Sequence, residues 1–251
     1  ILHDQENPKA GDKIRSTVDP EARRSKHGDW YDGYLLDILV DADSEIITEI
    51  NMLPANGEEA ADAVELISQE EATHGNDVES LSIDGAGFNG PVLRELEDPE
   101  GLAVNTFVPP KKEPASETFT PDDFLEDGTG AVVCPAGKKS RYRERDSTGR
   151  ATIHRFARKD CEGCALLGQC MTKPPKHFGR NVRKNDYENE YRKVREKATT
   201  EAYASVRAEH PAVERKLGEV MNRHCGRRAR YHGIGKVLIQ ELMACLLYHE
   251  V

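Results

Sequence analysis

Residues 33–53, GYLLDILVDADSEIITEINML, hold two β-rich runs, Gly33–Asp41 and Glu45–Leu53, on either side of Ala42-Asp43-Ser44. Leu, Ile and Val dominate the runs and the join is short and polar, so the stretch predicts a β-hairpin. Pro54-Ala55-Asn56-Gly57 ends its second strand. Glu58–Thr73 then places Ala60, Val64 and Ile67 at spacings of four and three, with acids on the other face, which predicts an amphipathic helix closed by His74-Gly75-Asn76. Val78–Asp84 reads as a third strand entering Gly85-Ala86-Gly87, Pro91–Leu96 as a short helix, and Leu102–Val108 as a fourth strand. Strands and helices alternating in this way describe an α/β core.

Working outward, residues 1–30 form a polar arm, and the chain begins with Ile1 and not Met, which predicts a piece of a longer protein. The core occupies residues 31–110, a Pro-rich linker and cysteine-rich β module residues 111–184, and helices completing the core residues 185–251. Within the last part, Asn185–Ala208 reads as one charged helix and Gly235–Val251 as an apolar helix docked on the sheet.

The formal net charge of −10 hides an asymmetry. Residues 1–133 carry 9 Lys or Arg against 31 Asp or Glu, and residues 134–251 carry 26 against 14. Such a division predicts a half that faces a polyanion, although two oppositely charged faces packed together would look the same. No run approaches a membrane span and no signal peptide is visible, so the expectation is no membrane partner and a cytoplasmic location.

Two acids and four cysteines could carry chemistry. Asp84 lies where a strand meets a glycine-rich turn, the place where α/β sheets gather ligands, though an Asp there can equally be a turn cap. Glu214 lies in RAEHPAVERKLGEVMNRHCGRRARYHGIGK, residues 207–236, beside the apolar face made by Val213, Leu217, Val220 and Met221; Pro211 suits the first turn of that helix. Eight cations surround Glu214 in sequence, so it is either a salt-bridged surface group or a metal carboxylate beside a phosphate-binding surface. Mg²⁺, or Mn²⁺ in its place, takes one or two carboxylates and leaves the rest to water and phosphate. Arg215, Lys216, Arg223, Arg227, Arg228, Arg230 and Lys236, with the arginines of the cysteine module, are candidate contacts to double-stranded DNA. Cys134, Cys161, Cys164 and Cys170 follow a C-x26-C-x2-C-x5-C spacing that predicts structural Zn²⁺, with reduced buried thiols as the bland alternative. Cys225 and Cys245 read as helix-packing residues.

DPEAR (Asp19–Arg23), Gly33-Tyr34, the CPAG to CEGCALLGQC module and the VERKL to GRRARYHG run together resemble the DDE transposases of bacterial insertion sequences. The resemblance implies an RNase H-like mixed sheet flanked by helices and interrupted by the cysteine module. It implies metal-dependent hydrolysis and strand transfer at insertion-sequence ends by a homo-oligomer on DNA. The second acid of the family maps onto Asp84 and its glutamate onto Glu214; Arg207 would hold a phosphate or the catalytic carboxylate. The first acid is expected on a strand upstream of Ile1, because Asp19, Asp37, Asp41 and Asp43 match its position poorly, and this chain is then a fragment that is inactive by itself. The alternative is a noncatalytic DNA-binding remnant or domesticated scaffold.

Overall fold

The computed structural model describes residues 13–112, 116–224 and 226–249. Two compact units result, one made of residues 1–110 with 194–251 and the other of residues 111–193. In the first, β1 (Arg23–His27), β2 (Asp29–Val40) and β3 (Ile47–Pro54) form an antiparallel sheet in that order. The expected hairpin is β2 and β3, with Leu36 opposite Met52 and Ile38 opposite Ile50. β1 falls within the segment read as a polar arm. RRSKH has no apolar alternation to reveal a strand; it is made one by pairing with the start of β2, reinforced by an Arg24–Asp32 ion pair of 2.7 Å.

Helix α1 (Ala63–His74) starts five residues later than its periodicity predicts. Ala60 sits at φ 58, outside helical space, and the side chain of the N-cap residue Asp62 makes no capping bond because it is turned to other partners. β4 (Ser80–Ser82), α2 (Gly90–Leu96) and β5 (Asn105–Phe107) follow, with β4 and β5 parallel. Ala63, Ile67, Val92, Leu96 and Val104 bury one another between these elements, each large side chain contributing about 1.5–3 kcal/mol on removal from water. The expected single mixed sheet is not continuous. Among the described residues β1–β3 and β4–β5 are hydrogen-bonded as two separate sheets.

The second unit contains the pair β6 (Leu125–Glu126) and β7 (Val132–Val133) and an antiparallel sheet of β8 (Tyr142–Arg145), β9 (Ala151–Arg155) and β10 (Asn181–Asn185). Short helices α3 (Arg158–Glu162) and α4 (Leu167–Cys170) carry Cys161 and Cys170. Phe124, Val132, Phe156 and Val182 form its core.

The single helix expected over residues 185–208 is two, α5 (Glu188–Lys197) and α6 (Glu201–Glu209), because Thr200 caps the second by accepting the Tyr203 N–H at 3.2 Å. Lys197 ends α5 by donating to Glu97 Oε1, Asn105 Oδ1 and the Thr106 carbonyl at 2.8–3.0 Å. Helix α7 (Pro211–Arg223) carries Glu214, and α8 (Ile234–His249) closes the fold. One face of α8 packs against β3, joining Ala244 and Cys245 to Ile50 and Val220. Its other face leaves Ile239, Leu242, Met243, Leu246 and Leu247 exposed, so docking on the sheet accounts for only part of its apolar character. No described helix is long and apolar enough to cross a membrane.

Candidate active site

The sequence runs DPEAR, GY and RYHGIGK meet at one point. Asp19 Oδ1 accepts the Tyr34 hydroxyl at 2.6 Å and the Gly233 N–H at 3.2 Å, while Glu21 Oε2 accepts the Ile234 N–H at 2.7 Å. Two carboxylates thus satisfy donors at the start of α8, where the helix dipole favours negative charge. Asp19 is committed to this anchor, and burial together with Asp19 raises the pKa of Tyr34.

Asp84 emerges from the end of β4 and is exposed. Its Oδ1 accepts the Ala86 N–H at 2.8 Å, capping the single 3₁₀ turn Gly85–Gly87. Gly87 has to lack a side chain here, since a Cβ would lie 2.7 Å from Ile83 Cγ2. The two residues before Asp84 are held from the other end of the sequence. Arg207 Nη1 on α6 donates to Ser82 Oγ at 3.0 Å and to the Ile83 carbonyl at 2.7 Å. Ser82 Oγ also lies 3.2 Å from Nδ1 of His210, the residue between α6 and α7.

His210 is largely buried and sits 3.9 Å from Glu214 Oε1, one helical turn on. Burial and then the Arg207 charge lower its pKa, while Glu214 and Asp84 both act to raise it. The two acids singled out from sequence therefore bear on the same imidazole, and the junction that presents Glu214 is fastened to the strand that presents Asp84. Among the described residues, Arg207 donates to the strand and not to a carboxylate. Neither Asp84 nor Glu214 belongs to a set of three ligating groups within 4.8 Å among the described residues.

A buried acid pair went unread in the sequence. Asp37 on β2 and Asp62 before α1 face each other, and burial first, then the hydrogen bond and charge of Asp62, push Asp37 up to about 7; Asp84 adds in the same direction. Asn51 on β3 donates to Asp62 Oδ2 at 2.8 Å, but Asp37 Oδ2 and Asp62 Oδ1 are buried without a hydrogen-bond partner. A carboxyl that keeps its proton can donate where a carboxylate cannot, which is the sense of the raised value at Asp37. Asp37 thus turns inward from the hairpin. Only its even spacing from the apolar Leu35 and Leu39 hinted at an inward side chain.

In the second unit Cys134, Cys161, Cys164 and Cys170 line one cavity with Phe119, Phe124 and Phe156. Cys134 Sγ accepts the Lys138 N–H at 3.4 Å across a turn closed by Gly137 N–H to the Cys134 carbonyl, and the Cys164 N–H returns to the Cys161 carbonyl. Burial raises the thiol pKa of Cys161 and of Cys170, and the neighbouring thiols add to it. The sulfurs lie around the cavity without forming a set of three within 4.8 Å. Cys245 packs in the first unit as expected, and Cys225 lies outside the described residues.

The cations divide. Arg215, Arg223, Arg227, Arg228, Arg230 and Lys236 are exposed. Lys216 differs from the exposed phosphate contact expected of it: it is buried, and its ammonium pairs with the exposed Glu45 at 2.9 Å. The module's arginines are largely answered by its own acids, Arg141 by Asp160, Arg145 by Asp186, Arg155 by Glu144, Arg158 by Glu162 and Arg183 by Asp146.

Residues 133–248 match a family model described as a transposase DDE domain. The match includes the four cysteines, Arg207, Glu214 and the basic run, and Asp84 precedes it. Searches of curated proteins and of solved structures found no match to the chain.

Proposed function

We propose that this chain is part of a DDE-type DNA transposase whose catalytic carboxylates include Asp84 and Glu214. The observation that carries the reading is the tie from Arg207 and His210 to Ser82 and Ile83, which fastens the start of the Glu214 helix to the strand end bearing Asp84. Exposed carboxylates with hard oxygens, Glu214 at 3.9 Å from His210 and Asp84 at the end of the strand that holds His210, suit Mg²⁺ or Mn²⁺, which keeps positions for water and phosphate. Bound there, such ions supply an activated hydroxyl for phosphodiester attack and stabilise the leaving oxygen. The chain's own residues present the carboxylates from a rigid strand and a docked helix, and the N-terminus of α7 favours the Glu214 charge. Arg207 and His210 are positioning residues in this scheme. The substrate is double-stranded DNA at insertion-sequence ends, cleaved and then joined to target DNA by a homo-oligomer.

The RNase H-like arrangement needs one more strand, carrying the first acid. Two open edges support it: β2 beyond Gly33 on the β1 side, and β4 on the side away from β5, have no strand partner among the described residues. A strand laid between them would join both sheets into one mixed sheet. The cavity with four thiols, three of them in two backbone turns, supports structural Zn²⁺, since cysteines in turns are how small modules close a tetrahedral site.

In protein active for end cleavage, Glu214→Ala and Asp84→Asn are each expected to reduce Mg²⁺-dependent end cleavage by about 10³-fold, as removal of a directly acting group does. DNA affinity should stay within about 3-fold. Cleavage retained in both variants overturns the assignment. The noncatalytic reading draws on the use of Asp84 as a turn cap; it requires DNA binding with no cleavage by the parent protein under Mg²⁺ or Mn²⁺.

A further inference from the structure

We infer that Glu49, Glu70 and His74 form a binding site for a divalent transition-metal ion, independent of the carboxylates proposed for DNA cleavage. Glu49 projects from β3, and Glu70 and His74 lie one turn apart on α1. One ligating atom of each, two carboxylate oxygens and an imidazole nitrogen, lies within 4.8 Å of the others. The backbone explains the convergence. Residues four apart share a helix face, and Glu49 shares with Asn51 the face of β3 turned to α1, where Asn51 holds Asp62 at the helix start. Eight residues of helix separate Asp62 from Glu70, roughly 12 Å along the axis, so this cluster and the Asp37–Asp62 pair occupy opposite ends of α1.

The second observation concerns the Glu70 carboxylate itself. The residue is 6% exposed, and its Oε2 is buried without a hydrogen-bond partner. Asn76 Nδ2 donates to Oε1 at 3.1 Å and so fixes the orientation of the group. Oε2 is left 3.8 Å from His74 Nε2, beyond hydrogen-bonding range. A buried carboxylate oxygen left in this way costs free energy until a cation or proton reaches it. An ion placed among the three groups would answer Oε2 and Glu49 together, with Asn76 acting behind the ligand as supporting groups at metal sites do. An imidazole with two carboxylates favours Zn²⁺, Mn²⁺ or Fe²⁺ over Mg²⁺ or Ca²⁺, which prefer oxygen alone. His74 is nearly half exposed, which leaves a path from solvent.

Mn²⁺ is the probe, because it is too hard to be held well by the four thiols. Binding to the intact chain is followed by the fall in the free-ion electron paramagnetic resonance signal. Glu70→Gln and His74→Ala should each lose one equivalent, or bind it about 10-fold or more weakly, and Zn²⁺ should compete for that equivalent in the parent. The Asp84→Asn/Glu214→Gln double variant should keep it, which separates this site from the proposed catalytic one. Unchanged stoichiometry and affinity in His74→Ala overturn the inference, as does loss of all Mn²⁺ in the double variant. If Glu70→Gln does not fold, His74→Ala carries the decision, since that residue is on the accessible side of the cluster.

Discussion

At the scale of single residues, the buried Asp37–Asp62 pair has a consequence for stability. Folded Asp37 keeps its proton to about pH 7, whereas an aspartic acid in an unfolded chain gives it up near pH 4. Between those values the native state binds more protons, so the contribution of Asp37 to stability falls as pH rises. Asp37→Asn removes the titration and keeps the shape. Urea denaturation at pH 8 should show the variant more stable than the parent by on the order of 1–2 kcal/mol, a figure reduced for the group's remaining contact with water. At pH 4.5 the two should differ little. A parent whose stability is flat from pH 5 to pH 8 would show that no such proton is held. The pair is invisible to a reading along the chain because its members are brought together by the β2–β3 hairpin and the delayed start of α1.

At the scale of elements, the cysteine module depends on close backbone packing. A Cβ at Gly179 would sit 2.5 Å from Cys161 Sγ and 3.0 Å from the Ala157 carbonyl, so this glycine lets the chain pass the sulfur. Gly179→Ala is expected to destabilise the module by about 1–3 kcal/mol, the usual range for forced overpacking, and to weaken the proposed zinc site with it. Protein purified without chelators should carry about one zinc per chain, absent from Cys164→Ser. Zinc-free parent protein with four alkylatable thiols would leave the cysteines as packing residues. The helix expected over 185–208 teaches a related lesson. Its composition is helical on both sides of Thr200, but a threonine able to cap the next turn divides it, and Lys197 stabilises the division by reaching β5.

At the scale of the molecule, the sign asymmetry of the chain remains, but its meaning narrows. Ion pairing within the module uses much of its positive charge and Lys216 is buried, while Arg227, Arg228 and Arg230 lie together in an exposed turn, which we propose as the DNA contact. Replacing Arg227, Arg228 and Arg230 by Ala should flatten the dependence of log affinity on log salt by about 0.9 for each phosphate that is no longer neutralised. Replacing Arg141, Arg145 and Arg183 should change that slope less while lowering stability. The reverse ranking, measured by DNA titration over a salt series, would return the interface to the module.

The sequence by itself determined the hairpin, the helix after it, a strand shortly before Asp84, the cysteine spacing and the helix of Glu214, because each is written in local periodicity or in turn chemistry. Tertiary structure alone decided that Asp19 anchors α8, that Asp37 faces Asp62, and that Lys216 is buried and paired with Glu45. It also placed Arg207 and His210 against the strand of Asp84, and a histidine and two glutamates around one point. Those outcomes turn on burial and on proximity between residues far apart in the chain, and neither quantity has a local signature.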